Sequence, residues 1–335
     1  MQASKEPRIS VTLSAYNVDL YLRDCLDCII FQTLQEIEII CVNDGSSDTT
    51  GHILKEYAEK DSRIVVIDKE VNEGLAVARN DALALAKGKY VGFVDGDDLL
   101  DRDLFRRAYE CAEKSQAELL FWDYNVFRDA DKLAEKVEEP SSLATIDPSN
   151  KLELLNLNAF AWTKLIRTDV AKALNISFPK GLTYQDIPVH WQLVTQLDKI
   201  AILPERLSYY RQQPEATTHQ SGWKRADLIT VMDLVGEYLH ENNLYSTYMD
   251  FYIRKQLEGF QGVYDVVVPS LQPKVMELIQ SRMGEDQNEY IARSQPLRAQ
   301  TKTFFESLQG SWAAKIQRAA WLSLRRCYRL IRSAR

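Results

Sequence analysis

A short apolar run that ends abruptly in carboxylates constrains this chain more than any other stretch. Residues 90–94 have the sequence YVGFV, which is typical of a short buried strand, and Asp95, Asp97 and Asp98 follow within four positions. Because unpaired buried carboxylates cost several kcal/mol, the strand must end at about Asp95. Carboxylates at the carboxyl end of a strand form a hard-oxygen site suited to Mg²⁺ or Mn²⁺. The alternative is an acidic turn that caps a helix beginning near Asp101.

Strand-like and helix-like patterns alternate along the first 128 residues. Apolar, β-branched runs predict the strands, which are expected at residues 9–15, 37–42, 64–67, 90–95 and 118–127. Because the segments between them have helical periodicity, we expect a mostly parallel sheet flanked by helices, in an α/β fold. Two further runs, at 200–203 and 207–211, are expected to form edge strands. From about residue 223 onward the pattern is helical, which predicts a helical C-terminal extension.

Composition and charge exclude several classes of protein. The 335 residues are 45% apolar and 27% charged, which is ordinary for a soluble globular protein. The net charge of −7 argues against a general nucleic-acid-binding protein. No stretch of about 18 apolar residues is present, so no membrane span is expected. Five cysteines without a secretion signal indicate reduced thiols and a cytoplasmic location.

Polar and aromatic residues follow the predicted strands of this first half. They are Tyr16 and Asn17, then Asp44, then the three aspartates between 95 and 98, and finally Asp123. Open α/β sheets bind their ligands at this edge, where Tyr16 could stack on a base and Asp44 could accept a base N–H group. Arg79, on a later helix, could reach bound phosphates or brace the acidic turn. Each residue also has a structural alternative, namely a packed aromatic, a turn or cap, and an ion-pair partner.

Four motifs are arranged at a characteristic spacing along this half. They are VTLSAYN at residues 11–17, VNDGSSD at 42–48, NEG at 72–74 with ARN at 78–80, and VDGDD at 94–98. Their combination resembles the family 2 inverting glycosyltransferases, which have the GT-A fold. The resemblance is strong over residues 7–128 and weaker to about residue 220. It implies a nucleotide-sugar donor, most often a UDP-sugar, and a bound Mn²⁺ or Mg²⁺.

The resemblance also implies roles for individual residues of the first half. The implied nucleotide-binding positions are Ala15, Tyr16, Asn17, Asp44, Arg79 and Asp95. Tyr16 and Asp44 look like the residues that contact the base, whereas Asp95 lies nearer the ribose. In the DxD motif, Asp97 is implied as the direct metal ligand, with Asp95 as a second metal candidate. A metal held by carboxylates neutralises the negative charge that develops on a leaving diphosphate.

An inverting transfer also needs a base that takes the proton of the acceptor hydroxyl. The family places this base in a Glu-Asp pair at the start of a helix, and the matching residues here are Gln185 and Asp186. Asp186 is therefore implied as the catalytic base, with Gln185 in place of the usual glutamate. The alternative is that Asp186 is an N-cap, because Pro188 stands at a favoured position in the first helical turn.

Two weaker segments imply three further site residues. Residues 162–165 (WTKL) resemble a family segment near the donor and acceptor, which implies a donor-side role for Lys164. The alternative is a strand with a buried Trp and a surface Lys. Residues 209–211 with 217–219 resemble a segment in which Arg211 opens a mobile loop over the diphosphate. His219 is a candidate metal ligand there, although a lone histidine is more often a surface or packing residue.

The leading hypothesis is a metal-dependent inverting glycosyltransferase that transfers a sugar to a hydroxyl of a glycan or lipid-linked acceptor in surface polysaccharide synthesis. A nucleotidyltransferase is one alternative, but the Gly-rich basic loop typical of that class does not follow the first strand. A degenerate domain that only binds nucleotide-sugar or a partner chain is the other, and Gln185 keeps it open. The predicted domains are 1–222 for the GT-A domain (a nucleotide-sugar half to 128, an acceptor half from 129) and 223–310 for the helical extension.

The last 25 residues, 311–335, are predicted to be a separate segment. They include seven basic residues and no acidic one, whereas the rest of the chain carries 34 basic and 48 acidic side chains, a balance of −14. On a helical wheel most basic residues fall on one side and most apolar residues on the other. The pattern predicts either a terminal helix packed on the protein or an interfacial helix on the anionic inner face of the cell membrane.

Overall fold

The computed structural model describes residues 6–128, 141–212, 222–293 and 297–308. The chain divides into two compact units, Met1–His219 and Gln220–Arg335. The sequence-based prediction had put this division after residue 222. Two of the predicted features, His219 and the basic helix at 311–335, lie outside the described residues.

Within the described residues, the first unit is built on an eight-stranded mixed sheet. The strands are β1 (Ile9–Ala15), β2 (Ile37–Asn43), β3 (Ile64–Asp68), β4 (Tyr90–Asp95), β5 (Leu99–Leu100), β6 (Leu119–Phe127), β7 (Lys164–Arg167) and β8 (Ile200–Arg211). Their order across the sheet is β3-β2-β1-β4-β7-β6-β8-β5. The first four strands pair in parallel, as predicted from the alternation of strands and helices. Strand β7 then enters between β4 and β6 and is antiparallel to both, so the sheet as a whole is mixed.

The prediction of two edge strands near residues 200–211 is wrong. Residues 200–211 form one strand, β8, which lies between β6 and the short edge strand β5. The register with β6 shifts between Trp122 and Tyr124, opposite the segment that contains Pro204. Proline lacks the N–H group that a sheet ladder requires, and a bulge removes that requirement without ending the strand.

Seven helices of the described chain accompany this sheet. They are α1 (Asp19–Ile30), α2 (Thr50–Lys60), α3 (Leu75–Leu85), α4 (Leu104–Ser115), α5 (Lys151–Leu155), α6 (Thr168–Ala173) and α7 (Asp186–Gln196). Apolar side chains of β1, β2 and β4 form one buried cluster with residues of α1 and α4, such as Leu22 and Phe105. Alternating residues of a strand face opposite sides of the sheet, which is why one set of β1 side chains enters this core. Cys25 lies in the same cluster, and Cys25, Cys28, Cys41 and Cys111 are free thiols.

The second unit is helical over its described residues, as predicted. Its helices are α8 (Asp227–Glu241), α9 (Tyr245–Val266), α10 (Gln272–Gln280), α11 (Glu285–Ala292) and α12 (Ala299–Leu308). The breaks expected near Pro269 and Gly284 are present, since a short 3-10 turn occupies Pro269–Leu271 and α11 begins directly after Gly284. None of the helices in the described ranges combines the length and apolar character needed to cross a membrane.

Candidate active site

The turns that follow β1 and β2 are hydrogen-bonded to each other and leave one aromatic ring exposed. The Asn17 side-chain oxygen accepts a hydrogen bond from the Ser47 N–H group at 2.8 Å, and the Asn17 N–H donates to the Ser46 hydroxyl at 3.1 Å. Asn17 has a φ of 50°, in the left-handed region that asparagine tolerates. Tyr16 is 48% exposed while its neighbour Ala15 is buried. The strand end therefore presents a tyrosine face next to a rigid turn.

Asp44 is buried, and its carboxylate holds a loop. One oxygen accepts from the Glu73 N–H at 3.0 Å and the other accepts from the Gly74 N–H at 2.8 Å. Gly45 has a φ of 67°, and a Cβ atom there would lie 2.4 Å from the Val71 carbonyl carbon, so only glycine fits at this position. The contacts are those of the turn-stabilising alternative. They place the NEG loop and the start of α3 against the end of β2.

The acidic turn after β4 is braced by β8. Strand β4 ends at Asp95, as predicted. Asp98 accepts the backbone N–H of Arg211 at 2.8 Å, and the Asp97 carbonyl accepts the Arg211 side-chain Nε–H at 2.8 Å. The helix-cap alternative for this turn is wrong, because strand β5 intervenes and α4 begins only at Leu104.

Crowding of carboxylates in this turn changes their proton affinity. Burial, with a smaller contribution from the charge of Asp95, raises the pKa of Asp97 from its ordinary 3.8 to about 6. Burial and the neighbouring charges of Asp97 and Asp95 raise the pKa of Asp98 well above its usual range. The turn thus places three carboxylates close together, which disfavours all of them being charged at the same time.

Arg79 joins the two halves of the predicted site. It lies on α3, is 2% exposed, and its Nη2 donates to the two Asp95 carboxylate oxygens at 2.9 and 3.2 Å. Its Nη1 donates to Asp186, which is 107 residues away along the chain. Arg79 also lies over the Phe178 ring, 5.4 Å from the ring centre. One guanidinium therefore links the end of β4 to the start of α7.

Asp186 is the first residue of α7, and its carboxylate points away from its own helix end. One oxygen binds Arg79 and the other accepts the backbone N–H of Ala161 at 3.2 Å. Gln185 occupies the cap position, with no side-chain capping bond. The N-cap alternative for Asp186 is therefore wrong, because the bonds of this carboxylate go to partners outside α7.

Lys164 is buried, so the alternative of a surface lysine is also wrong. It is 2% exposed, and its Nζ donates to the Phe160 carbonyl oxygen at 2.5 Å. Burial lowers the pKa of Lys164 to about 7, an effect that Asp186 opposes and Arg79 reinforces. Trp162 is 6% exposed, in agreement with the expected buried tryptophan.

Arg211 lies at the end of β8 between two aromatic rings and the acidic turn. Its Cζ is 4.6 Å from the ring centres of both Tyr21 and Phe127. Its Nη2 is buried without a hydrogen-bond partner among the described residues. An unpaired buried guanidinium nitrogen is costly, which favours an anionic oxygen as its partner in a liganded state.

Sequence reasoning missed two parts of this region. Tyr124, Phe160, Trp162 and Tyr210 form an aromatic cluster, and two of them flank Ala161, whose N–H group binds Asp186. The Asn80 side chain also exchanges two hydrogen bonds with the backbone of Phe178, at 2.9 and 2.8 Å, and so fixes the segment before α7. Both arrangements join residues from distant parts of the chain, so no local sequence pattern predicts them. Across the described ranges, no group of three or more His, Cys, Asp and Glu side chains is placed to hold a metal by itself.

Comparison with known proteins places the chain in a family. The family model described as glycosyl transferase family 2 matches residues 10–174, a range that contains Asp44, Arg79 and the acidic turn. TuaG of Bacillus subtilis, a putative teichuronic acid biosynthesis glycosyltransferase, is 31% identical over 207 residues, which is 62% of this chain and 79% of TuaG. The chain belongs to glycosyl transferase family 2. The family match ends at residue 174, so it does not include Asp186, Arg211 or the second unit.

Another relative and two solved structures extend the comparison. The uncharacterized glycosyltransferase EpsJ of Bacillus subtilis is 32% identical over 219 residues, 63% of each protein. The chain spans between 31% and 63% of the length of several curated relatives that it matches. TarS 1-349 of S. aureus, in complex with UDP-GlcNAc, aligns over 90% of this chain and 91% of its own with a TM-score of 0.59 and 20% identity. The mannosyltransferase PcManGT of Pyrobaculum calidifontis, in complex with GDP-Man and Mn²⁺, aligns over 96% of this chain and 81% of its own with a TM-score of 0.52 and 14% identity. These likenesses confirm the predicted GT-A type of fold.

Proposed function

We propose that this family 2 protein is an inverting glycosyltransferase that moves a sugar from a nucleotide-sugar to a hydroxyl group of a glycan or lipid-linked acceptor in surface polysaccharide synthesis. The observation that carries the proposal is the Arg79 bridge, which brings a donor-side carboxylate, Asp95, next to a candidate base, Asp186. The names of TuaG and of a related poly(ribitol-phosphate) beta-glucosyltransferase support a role in cell-surface polymers. Family membership favours this reading over a nucleotidyltransferase.

The proposed donor is a UDP-sugar bound across the carboxyl ends of β1, β2 and β4. The exposed ring of Tyr16 offers a stacking face for the base, beside the buried Ala15 and the fixed Asn17 turn. Asp44 holds the NEG loop with one bond to each carboxylate oxygen, and a base N–H is the proposed donor to the remaining acceptor capacity of this carboxylate. The unpaired Nη2 of Arg211 and the buried Lys164 are the proposed cationic partners of the diphosphate.

A divalent cation, Mn²⁺ or Mg²⁺, fits the acidic turn. The turn supplies carboxylate oxygens from Asp95 and Asp97, which are the ligand type that these cations prefer, and burial with the charge of Asp95 raises the pKa of Asp97 to about 6. Asp97 and Asp95 would hold the metal, with the donor diphosphate and water completing its ligands, and His219 as a further candidate outside the described residues. When bound, the metal supplies Lewis-acid stabilisation of the leaving diphosphate.

The chemistry on the acceptor side is assigned to Asp186. As general base, it takes the proton of the acceptor hydroxyl while that oxygen attacks the anomeric carbon from the side opposite the leaving diphosphate. Arg79 and the Ala161 N–H each bind one oxygen of this carboxylate and so hold its orientation. Gln185 keeps the size of the usual glutamate but not its charge, so Asp186 is the carboxylate that remains at this position.

The experiment that tests the proposal is a screen of UDP-sugars for slow hydrolysis and UDP binding, with Mn²⁺ and with a chelator. Metal-dependent release of UDP from one sugar donor by the wild-type protein, and its loss in Asp97→Asn, supports the proposal. UDP-sugar binding without any turnover would instead identify a degenerate binding module. Absence of both binding and hydrolysis for every UDP-sugar, and of UDP binding itself, would refute the proposed UDP-sugar transferase.

The proposed location is the inner face of the cell membrane, reached through residues 311–335. The support is compositional, because seven basic and no acidic residues lie in a segment with an amphipathic pattern, while the rest of the chain is acidic. Anchoring of this kind would raise the rate at which the enzyme meets a lipid-linked acceptor.

A further inference from the structure

Four aromatic side chains form one cluster beside Asp186. Phe160 and Trp162 stack with ring centres 4.9 Å apart and planes 11° from parallel, Tyr210 stacks on Trp162 at 5.5 Å and 24°, and the Phe160 and Tyr210 ring centres are 6.3 Å apart. Tyr124 meets Phe160 and Trp162 edge-on, at 5.8 and 4.9 Å. The rings come from β6, from the segment before β7 and from β8, so three separate parts of the chain contribute to one surface.

The cluster has a buried centre and accessible flanks. Trp162 is 6% exposed, whereas Phe160, Tyr210 and Tyr124 are each partly exposed. The Tyr124 hydroxyl accepts a hydrogen bond from the exposed Asn158 amide at 2.9 Å. A core that only needed to be filled would bury these rings completely, and their partial exposure leaves aromatic faces and polar edges available to a ligand.

Residues adjacent to the cluster in the sequence contact the groups of the candidate site. Phe160 and Trp162 flank Ala161, whose N–H binds the Asp186 carboxylate at 3.2 Å. The Phe160 carbonyl accepts from Lys164, and Tyr210 directly precedes Arg211, which braces the acidic turn. A ligand on this cluster therefore lies beside the carboxylate that takes the acceptor proton.

We infer that this cluster, which we call the aromatic platform (Tyr124, Phe160, Trp162 and Tyr210), binds the acceptor, and that the acceptor group it binds is a pyranose ring. The inference rests on the proposed function and adds the acceptor class to it. The C–H face of a pyranose is apolar and slightly positive, and it complements the negative face of an aromatic ring, while Tyr and Asn groups bind the hydroxyls at its edge. A polyol phosphate has no such face and requires cations.

The nearby cations, Lys164 and Arg211, are the proposed partners of the donor diphosphate, so they do not supply a separate site for a polyol phosphate acceptor. Lys164 is buried and donates to the Phe160 carbonyl, and Arg211 is buried and donates to the Asp97 carbonyl. Lys164 lies over the Phe121 ring and Arg211 lies over the Tyr21 and Phe127 rings, and none of these three rings belongs to the platform. The platform thus favours a glycan acceptor over a chain of polyol phosphates.

Saturation-transfer-difference NMR, with UDP and the diamagnetic Mg²⁺ present, tests this directly. The probes are the methyl glycosides of glucose, galactose and N-acetylglucosamine, compared with ribitol 5-phosphate and glycerol 3-phosphate. We expect transfer to the ring protons of at least one pyranoside in the wild-type protein. Phe160→Leu and Tyr210→Leu keep an apolar side chain but remove the aromatic face, and each should weaken pyranoside binding roughly 3- to 10-fold.

The matched control is Phe31→Leu, which removes a 66% exposed ring that directly follows α1. It should leave pyranoside binding unchanged. Equal pyranoside binding by wild type and both platform variants, no pyranoside signal in any protein, or polyol phosphate binding in place of pyranoside binding would each overturn the inference. UDP affinity, measured in the same samples, reports separately on the donor site, so a failure of the proposed function is distinguishable from a failure of the platform.

Discussion

At the scale of single residues, the candidate site is characterised by one buried arginine that pairs with two carboxylates. Arg79 binds both Asp95 and Asp186 from a buried position. In the same region burial raises the pKa of Asp97 and lowers that of Lys164. Acids with raised pKa values and bases with lowered pKa values are common in catalytic sites, because burial and neighbouring charges shift pKa values there.

The role of Asp186 can be tested with a substitution that keeps its shape. Asp186→Asn should leave UDP-sugar affinity near the wild-type value while turnover falls by ~10²-fold or more, the usual consequence of losing a general base. The measurement is steady-state transfer together with donor titration. Asp198→Asn is the control, because Asp198 follows the same helix and its side chain is 95% exposed. Normal turnover in Asp186→Asn would show that the base lies elsewhere.

Asp97 should reduce the stability of the metal-free protein at neutral pH. Its pKa is raised from 3.8 to about 6, so the cost of its charge is fully present above about pH 6 and is absent below about pH 4. Asp97→Asn should therefore be more stable than wild type by roughly 1–3 kcal/mol at pH 7.5, with the difference disappearing near pH 4. Urea unfolding at the two pH values measures this. A variant that is less stable at pH 7.5 would contradict the assignment.

At the scale of elements, the carboxyl ends of β1, β2 and β4 are held by hydrogen bonds between turns. Asn17 links the first two turns, and Asp44 links the second to the loop before α3. Arg211 links the end of β8 to the acidic turn after β4. Each link orients a loop at the edge where a parallel sheet binds ligands, so the rigidity of the edge depends on a few polar side chains.

The Asp44 link predicts a measurable loss of stability. Asp44→Ala removes two charge-assisted hydrogen bonds to backbone N–H groups and should lower the free energy of unfolding by roughly 3 kcal/mol, with Asp44→Asn about half as damaging. Urea denaturation gives the values, and UDP affinity should fall in the same order. The control is Asp81→Ala, which removes a 40% exposed carboxylate from its ion pair with Lys69, and it should cost less than about 1 kcal/mol because Lys69 keeps Glu73 as a partner. Equal effects for Asp44→Ala and Asp81→Ala would show that Asp44 does not hold the loop.

At the scale of the whole molecule, charge is distributed unevenly along the chain. The protein as a whole is acidic, whereas residues 311–335 are strongly basic. The described part of the second unit ends with α12, where Phe304 and Phe305 are each 1% exposed and belong to the folded unit. A protein that ends at Gly310 therefore retains these buried residues.

This distribution predicts membrane binding through the basic segment. The full chain should co-sediment with anionic but not neutral liposomes, and binding should fall as salt screens the surface charge. The protein ending at Gly310 should lose this binding yet keep UDP-sugar hydrolysis. Equal liposome binding by the two proteins, or binding by neither, would rule out the membrane role and favour a helix that packs on the protein.

The amino-acid sequence by itself determined the elements of the first half other than the two-residue strand β5, the end of β4 at Asp95 and the family, because strand periodicity, turn residues and motif spacing are local properties. It placed Tyr16, Asp44 and the acidic turn at one edge, since parallel strands share that edge. Only the tertiary structure decided that Arg79 bridges Asp95 and Asp186. The same holds for the two hydrogen bonds that the Asp44 oxygens accept from the NEG loop, and for the four aromatic rings that meet beside Ala161. Those contacts join residues up to 107 positions apart and follow from the order of strands in the sheet, which no local pattern encodes.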